Sequence, residues 1–355
     1  MRFRFQFRRY RLPFRAVVRT GHGPWAEREG VIVRLEDVSE GGTGKVGFGE
    51  AAPIPWFGTE TVDEDEEAAR SLAEWIEGDV VEQVPARCGC LRGAIVEALA
   101  EVERGREDFV AVKPEVAYLG VAGLLPAGRA ALEIAPRRSE MGFRIFKWKV
   151  GVGDVADELS LLDDVCAALP DGAKLRLDAN GAWDRRKAQR WLERCADRPV
   201  EFVEQPCFAE ASQGATQQRK VEDVLLGLAG DFPTPIALDE SLVGEGDVER
   251  WLGVGWPGVF VVKPALLGDA RAALARLEKA KADVVFSSAL ETALGTRSAL
   301  RMAFGWKTAR ERRALGFGVA PLFADMQFDG PGIAPFVRVE DVERIDAEAI
   351  WNALS

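Results

Sequence analysis

The sequence has a single histidine, His22, among its 355 residues. Chemistry that needs two imidazoles, such as a His-rich zinc site or a pair of histidine bases, is therefore excluded. His22 lies in the Gly- and Pro-containing stretch Gly21–Pro24, which is typical of a loop and disfavours a catalytic triad built on it. If the protein is an enzyme, its acids and bases are expected to be Lys, Asp and Glu.

Cysteines and long apolar runs are also scarce. The five cysteines are odd in number, scattered, and lack a Cys-x-x-Cys spacing, which favours a reduced cytosolic protein over a disulfide framework or a zinc site. The most apolar window, Tyr118–Ala135, contains Pro126 and Arg129 and is too polar for a transmembrane helix. A net charge of −11 argues against nucleic-acid or anionic-membrane partners. We therefore expect a cytoplasmic protein without either partner; its oligomeric state stays open.

The first hundred residues predict an α+β module. Phe and Arg alternate from Arg2 to Phe7 with the period of a half-buried strand, so we interpret the Arg-rich start as structure rather than as a transit peptide. Further strands are predicted at Gly30–Leu35 and Lys45–Gly49. Helices are predicted at Thr61–Gly78 and Leu91–Arg104.

After residue 107, short apolar runs alternate with helix-length segments eight times, which is the count of a (β/α)8 barrel. The runs are Phe109–Lys113, Phe143–Val150, Lys174–Asp178, Val200–Glu204, Pro235–Asp239, Gly258–Lys263, Asp283–Ser288 and a weaker one at Gly316–Val319. We predict an α/β fold with a modified TIM barrel at 108–325 and an N-terminal α+β capping domain at 1–107. The tail 326–355 is expected to pack back on the cap. A doubly wound sheet is the alternative, because periodicity alone does not close a barrel.

Six of these runs end in a charged or hydroxyl side chain. The residues are Lys149, Asp178, Glu204, Asp239, Lys263 and the pair Ser287 and Ser288. In a barrel, the C-terminal ends of the strands converge on one mouth, where such enzymes keep their active sites. A charge after one strand is common, but six in register indicate a site.

Lys147 and Lys149 fall on one face of their strand, about 6.6 Å apart at ~3.3 Å per residue, with Phe146 and Trp148 on the other face. Two ammonium groups this close depress each other's pKa, which would bring a lysine into the range of a useful base. A pair of surface lysines on an edge strand is the alternative interpretation.

Asp178, Glu204 and Asp239 end three successive runs and would lie side by side. A hard divalent cation would relieve their repulsion, and all-oxygen ligation selects Mg²⁺ or Mn²⁺. Structural salt bridges to arginines on the helices are the alternative. With Lys149 and Lys263 on opposite sides of such a metal, the arrangement suits removal of a proton beside a carboxylate and stabilisation of the resulting enediolate.

Five segments in this order resemble the enolase superfamily, specifically its Lys-x-Lys, muconate cycloisomerase-like arm. They are Lys147-Trp148-Lys149, Leu177-Asp178-Ala179-Asn180, Val203-Glu204-Gln205-Pro206, Leu238-Asp239-Glu240-Ser241-Leu242 and Val262-Lys263-Pro264. Within that arm, Gly47–Pro55 and Ser287–Gly295 resemble the corresponding segments of the o-succinylbenzoate synthase family of menaquinone biosynthesis.

This resemblance implies a Mg²⁺-dependent lyase that converts 2-succinyl-6-hydroxy-2,4-cyclohexadiene-1-carboxylate to 2-succinylbenzoate by syn-dehydration. It implies that Lys149 abstracts the proton alpha to the carboxylate and then helps the hydroxyl leave, and that Lys263 stabilises the enediolate. The implied metal ligands are Asp178, Glu204 and Asp239.

The same resemblance implies supporting roles around the substrate. Lys147 and Asn180 are expected to support the metal and base, while Ser287 and Ser288 are expected to hydrogen-bond the succinyl tail. The loops His22–Trp25 and Pro53–Phe57 resemble lids that exclude water. Packing of Trp56 and Phe57 between the two domains is equally possible.

Several alternatives stay open. Muconate-type cycloisomerases and N-succinyl or N-acylamino acid racemases use the same base-and-metal set. Dipeptide epimerases typically carry an Asp-x-Asp near the eighth strand, which Gly318–Met326 lacks.

Gly151–Ala156 has the local form of a dinucleotide-binding fingerprint, so an NAD-dependent dehydrogenase is a remote alternative, although Asp178 comes late for the expected acid. A non-catalytic descendant of the fold should have lost one of the rim residues, and all are present.

Overall fold

The computed structural model describes residues 2–20, 23–42, 44–111, 116–308 and 310–354. His22 lies outside the described residues, as do the last two positions of the predicted run Phe109–Lys113. Within the described ranges, no helix is both long and apolar enough to cross a membrane.

The N-terminal part is a four-stranded antiparallel sheet covered by two helices, with strand order β3-β2-β1-β4. Its elements are β1 (Arg2–Thr20), β2 (Gly23–Asp37), β3 (Val46–Ala51), α1 (Val62–Ser71), β4 (Trp75–Glu77) and α2 (Gly89–Ala111). The predicted alternation is confirmed at Phe3 and Phe5, which are buried in the core of this part, whereas Arg2 is exposed.

The predicted helix Thr61–Gly78 is too long. Thr61 caps α1 through a capping box with Glu64, and the helix ends at Ser71. The chain then forms β4, in which buried Ile76 pairs with Phe3 of β1. Burial of this short edge strand against the sheet therefore replaces the last two turns of the predicted helix.

The second part is a curled, parallel sheet of seven strands in the order β12-β11-β10-β9-β8-β7-β6, with helices between successive strands from β6 onward. Its elements, with the short strand β5 that precedes it, are β5 (Tyr118–Gly120), β6 (Gly123–Leu125), α3 (Ala130–Glu140), β7 (Ile145–Lys149), α4 (Val155–Ala168), β8 (Lys174–Asp178), α5 (Arg185–Cys195), β9 (Val200–Glu204), α6 (Ala215–Asp231), β10 (Ile236–Leu238), α7 (Glu245–Gly253), β11 (Val259–Val262), α8 (Ala270–Lys279), β12 (Asp283–Phe286) and α9 (Ala293–Gly305).

Two predicted barrel strands are wrong. Residues 109–111 of the run Phe109–Lys113 belong to helix α2, and the first strand of the parallel sheet is β6. The weak run Gly316–Val319 does not form a strand. Single parallel bridges join Gly316 to Ser287 and Leu315 to Val121, so this segment links the two edges of the sheet without becoming a full eighth strand.

The parallel sheet has apolar layers on both faces. On the outer face, Trp148 of β7 packs with Trp191 of α5, which stacks on Trp183 with ring centroids 4.9 Å apart. The inner face is filled by a smaller buried cluster, which consists of Phe202, Ala237, Val259, Val261 and Val285. These layers fix the strands whose C-terminal ends carry the candidate site.

The end of the chain contacts the N-terminal sheet. Its elements are β13 (Phe336–Arg338), α10 (Val339–Glu343) and α11 (Ala347–Ala353). β13 pairs with β5, while Ile350 and Trp351 of α11 pack with Ile32 and Phe48 of the N-terminal sheet. The division into a cap at 1–107, a barrel at 108–325 and a tail at 326–355 remains our proposal, and helix α2 runs through its first boundary.

Candidate active site

A cavity of about 330 Å³ lies at the C-terminal ends of the parallel strands, beneath residues of the N-terminal part. The predicted site residues that line it are Lys147, Lys149, Asp178, Asn180, Asp239, Lys263, Ser287 and Ser288. Glu204 does not line the cavity but contacts Lys147 directly beside it. The structure therefore brings all nine predicted positions together around one cavity.

Lys147 bridges two of the predicted carboxylates. Its ammonium lies 2.8 Å from Asp178 Oδ2 and 2.7 Å from Glu204 Oε1. The strand alternation is confirmed, because Lys147 and Lys149 both line the cavity while Phe146 and Trp148 are buried on the helix side. Parallel pairing places Lys149 opposite Asp178 and Asp178 opposite Glu204, which brings the three strand ends into line.

Lys263 occupies the other side of the cavity. Its ammonium donates to Asp239 Oδ1 at the end of the neighbouring strand. The ring of Phe57, which belongs to the N-terminal part, lies 5.1 Å from the same ammonium, within the range of a cation–π contact. Lys263 is thus held by one carboxylate and one aromatic face.

The electrostatics of the lysines differ from the prediction. Burial alone would lower the pKa of Lys147, but the negative charges of Asp178 and Glu204 outweigh it and raise that pKa far above its ordinary value. Burial is likewise outweighed at Lys263, whose pKa is raised by Asp239 and Glu240. The predicted mutual depression of lysine pKa values is therefore wrong for Lys147, because the negative charges of the carboxylates on the neighbouring strands dominate its pKa.

The pKa values of Asp178 and Glu204 are shifted in opposite directions. Burial would raise the pKa of Asp178, yet the contact with Lys147 holds it below its usual range. Burial raises the pKa of Glu204 well above its usual range, and the negative charge of Asp178 adds to the effect. The contact with Lys147 therefore outweighs burial at Asp178 but not at Glu204.

A divalent cation at this site would have to bind the carboxylates of Asp178, Glu204 and Asp239. Among the residues that the structure describes, no three His, Cys, Asp or Glu side chains form a preassembled metal cluster. The lysine ammonium groups contact the carboxylates instead. The chemistry nevertheless fits Mg²⁺, because the donors are carboxylate oxygens of three buried side chains, and burial together with the negative charge of Asp178 raises the pKa of Glu204.

Glu240 is a pocket residue that the sequence analysis did not select. Its Oε1 accepts a hydrogen bond of 3.1 Å from Asn180 Nδ2. Its Oε2 and Asn180 Oδ1 are buried and have no hydrogen-bond partner in the described part of the chain. Burial and the charge of Asp239 raise the pKa of Glu240 to about 8. Its position directly after Asp239 is the only local signal that could have indicated it.

Gln205 is a second residue that the sequence analysis missed. It is fully buried with φ +36°, and its Oε1 accepts hydrogen bonds from the backbone N–H groups of Asp239 at 2.8 Å and Ser241 at 3.2 Å. Its Nε2 donates to Cys207 O at 2.9 Å and to Ser241 Oγ at 2.8 Å. Gln205 therefore ties the end of β9 to the backbone that presents Asp239.

The two serines line the cavity with their hydroxyl protons already engaged. Ser287 Oγ donates to Gly316 O at 3.3 Å. Ser288 Oγ donates to Glu291 Oε2 at 3.1 Å and accepts from Leu290 N at 2.9 Å. Their expected bonds to a substrate tail stay a prediction, and would require an exchange of these internal partners.

The N-terminal part contributes an aromatic roof. Trp25, Trp56 and Phe57 line the cavity, and Trp25 contacts Trp56 edge-to-face with ring centroids 4.8 Å apart. The same three rings pack against the core of the N-terminal sheet. They thus contribute both to the roof and to packing, so the two alternatives for Trp56 and Phe57 are compatible.

In the segment Gly151–Ala156, which has the local form of a dinucleotide-binding fingerprint, a side chain of the protein itself binds the backbone N–H groups. The backbone N–H groups of Gly151, Val152 and Gly153 donate to the Glu158 carboxylate at 2.9, 3.1 and 3.0 Å. These are the amides that a bound pyrophosphate would need. A carboxylate in that place argues against the dehydrogenase alternative.

Two protein families match the chain. They are MenC, N-terminal domain, over residues 2–97 and Enolase C-terminal domain-like over residues 130–331. The chain is 38% identical to the o-succinylbenzoate synthase of Thermosynechococcus vestitus over 89% of this chain and 92% of that relative. It is 32% identical to the o-succinylbenzoate synthase of Edwardsiella ictaluri, over 84% and 85% of the two chains.

Two solved structures also match the chain. The crystal structure of o-succinylbenzoate synthase from Thermosynechococcus elongatus, which has magnesium in its active site, matches with a TM-score of 0.78 and 34% identity over 99% of both chains. Muconate lactonizing enzyme from Pseudomonas putida shares the fold, with a TM-score of 0.72 and 20% identity over 91% of this chain and 89% of that one.

Proposed function

Because the chain belongs to the o-succinylbenzoate synthase family of the enolase superfamily, we propose that it dehydrates 2-succinyl-6-hydroxy-2,4-cyclohexadiene-1-carboxylate to 2-succinylbenzoate. The observation that carries the proposal is that Lys149 and Lys263 line one cavity together with Asp178 and Asp239. In this reaction the C–H bond alpha to the carboxylate and the C–O bond of the hydroxyl break, water leaves, and the ring becomes aromatic.

Lys149 is the proposed base. Its strand neighbour Lys147 is held in the charged form by Asp178 and Glu204 and is therefore poorly suited to accept a proton. Lys149 reaches the same cavity from the end of β7. After it has taken the proton, its ammonium is positioned to return a proton to the departing hydroxyl, which suits elimination from one face of the ring.

Lys263 is the proposed electrostatic partner. Its contact with Asp239 keeps the ammonium charged, and a fixed positive charge stabilises the negative oxygens that develop when the proton leaves. The ring of Phe57 covers the same ammonium and reduces its access to water. This role needs Lys263 to remain protonated throughout, in contrast to Lys149.

Asp178, Glu204 and Asp239 are the proposed ligands of Mg²⁺, which Mn²⁺ could replace. Such an ion would supply positive charge beside the substrate carboxylate. Support comes from the donor set and from the pKa of Glu204, which burial and the negative charge of Asp178 raise. Lys147 and Lys263 contact carboxylate oxygens, so metal binding requires these ammonium groups to shift or to share the oxygens.

The experiment that tests this function is turnover of the cyclohexadiene substrate by the purified protein with Mg²⁺, monitored by the absorbance of the aromatic product. N-succinyl amino acids are assayed beside it, because two lysines in one cavity also suit a two-base racemase. Dehydration supports the proposal. Racemisation without dehydration would assign the site to the second reaction.

A further inference from the structure

The cavity wall formed by Ser287–Leu290 has its hydrogen-bond donors engaged within the protein. Beyond the two serine hydroxyls, the backbone N–H of Ser287 donates to Val262 O at 2.8 Å and that of Ser288 to Gly316 O at 3.4 Å. The N–H of Ala289 donates to the Glu291 carboxylate, and that of Leu290 to Ser288 Oγ. These internal hydrogen bonds fix the conformation that the wall presents to the cavity.

Arg28 of β2, in the N-terminal part, donates hydrogen bonds to this wall. Its side chain is buried, and the guanidinium donates to Pro53 O at 2.9 Å and to Ala52 O within its own domain. It also reaches across to Ala289 O and Leu290 O, both at 3.3 Å. Leu290 has φ +60°, a left-handed conformation that a leucine adopts only when its surroundings impose it.

Glu50 of β3 holds the next residues of the same segment. Its carboxylate, buried in the protein, accepts hydrogen bonds from the backbone N–H groups of Thr292 at 2.9 Å and Gly295 at 2.8 Å, and from the Thr292 hydroxyl. Tyr10 Oη donates to it at 2.6 Å. Glu50 thus caps the N-terminus of α9 from another domain, where the helix dipole favours a negative charge.

We propose that Glu50 and Arg28 are positioning residues that set the place of the Ser287–Leu290 wall and thereby control substrate affinity, an inference that rests on the proposed function. Neither residue lines the cavity, so neither is expected to take part in proton transfer. Their effect should fall on KM and on the binding of 2-succinylbenzoate, with little change in kcat.

Glu101 of α2 provides a matched control. It is another carboxylate from the N-terminal part that contacts α9, accepting from Arg297 at 2.7 Å, Arg301 at 3.2 Å and the backbone N–H of Phe48 at 2.9 Å. The two arginines lie at least seven residues after Leu290, the last residue of the wall, whereas Glu50 holds Thr292 only two residues after it. Loss of its charge should destabilise the same helix without moving the wall.

The test compares Glu50→Gln with Glu101→Gln by steady-state kinetics and by hydrogen–deuterium exchange of residues 285–297. We expect Glu50→Gln to raise KM about tenfold, to change kcat less than about threefold, and to speed exchange in this segment. Glu101→Gln should leave KM within about twofold. An unchanged KM in Glu50→Gln, or an equal rise in both variants, would overturn the proposal.

If Glu50→Gln does not fold, Tyr10→Phe carries the same test, because it removes one of the four donors to Glu50 and keeps the ring. A smaller rise in KM with faster exchange in 285–297 is then expected, and wild-type values for both would overturn the proposal. Hydrogen exchange does not need turnover. An inactive wild-type protein would therefore reject the proposed function, whereas unaltered exchange in the variants would reject the positioning role.

Discussion

The Lys147 ammonium lies 2.7 Å from the carboxylate of Glu204, a residue 57 positions further along the chain. It also contacts Asp178, so one ammonium group is shared by two buried carboxyl groups that end adjacent strands. This contact places a fixed positive charge at Lys147 beneath the cavity and supports our proposal that Lys149, rather than Lys147, is the base.

Replacing Lys147 by Met should make the fold depend on a metal. The substitution keeps the apolar stem but leaves two buried carboxylates without their cation, and breaking a buried pair typically costs about 3–5 kcal/mol. We expect a lower Tm in metal-free buffer and a larger recovery with Mg²⁺ than in the wild type, measured by calorimetry. Lys174→Met, at an exposed position on β8, is the control. A metal-free Tm equal to that of the wild type would contradict the interpretation.

Removal of divalent cations should abolish most of the turnover. With EDTA, Lys149 and Lys263 remain, but the charge beside the substrate carboxylate is missing, so we expect turnover to fall by at least about a hundredfold. Excess Mg²⁺ or Mn²⁺ should restore it, and EDTA saturated with Mg²⁺ should have no effect. Full turnover in EDTA would refute the proposed carboxylate triad.

Replacing Gln205 by Met should weaken metal binding. The backbone N–H of Asp239 would lose its acceptor, and loss of a residue that orients a metal ligand typically reduces affinity about 10- to 100-fold. Isothermal titration calorimetry with Mg²⁺ measures this directly. Gln217→Met, at an exposed position on α6, is the control. The role of Gln205 would be rejected if both variants bound Mg²⁺ as the wild type does.

Asp65 should make the stability of the protein fall as the pH rises. Burial, together with the charge of Glu60, raises the pKa of Asp65 to about 9 from an ordinary value of 3.8. Between these two values the folded state binds a proton that the unfolded state has lost, so the free energy of unfolding decreases as pH increases through this range.

Asp65→Asn removes this ionisation and keeps the shape of the side chain. We expect a Tm a few degrees above that of the wild type near pH 8, with a flatter pH dependence between about pH 5 and 9. Glu67→Gln, at an exposed position on the same helix, should follow the wild type. Parallel pH profiles for Asp65→Asn and the wild type would show that Asp65 is already ionised in the fold.

The positions of the site residues could be predicted because their strands are locally visible. The bounds of Lys174–Asp178 and Val200–Glu204 are confirmed, and each strand ends on its predicted carboxylate. Strand β6, Gly123–Leu125, was missed because it lies inside the apolar window Tyr118–Ala135 and no charged or hydroxyl side chain directly follows it, whereas the equally short β10 is followed by Asp239. The apolar residues 109–111 were misassigned because α2 continues through them from its contact with the N-terminal sheet.

The contacts within the site could not be predicted from local patterns. Gln205 reaches Asp239 across 34 residues, and Asn180 reaches Glu240 across 60. The predicted direction of the pKa shift of Lys147 was wrong for the same reason. The groups that dominate its pKa are Asp178 and Glu204, which lie on the next two strands. Pairing between distant parts of the chain, rather than composition or periodicity, determines these contacts.

The most direct test of Lys149 as the base is the rate of 2-succinylbenzoate formation by Lys149→Ala beside the wild type, with Mg²⁺ present. We expect the variant to lose at least about a hundredfold in kcat, the range of general acid–base catalysis, while its Tm and its Mg²⁺ affinity stay close to those of the wild type. A variant that keeps most of its activity would contradict the assignment of Lys149 as the base.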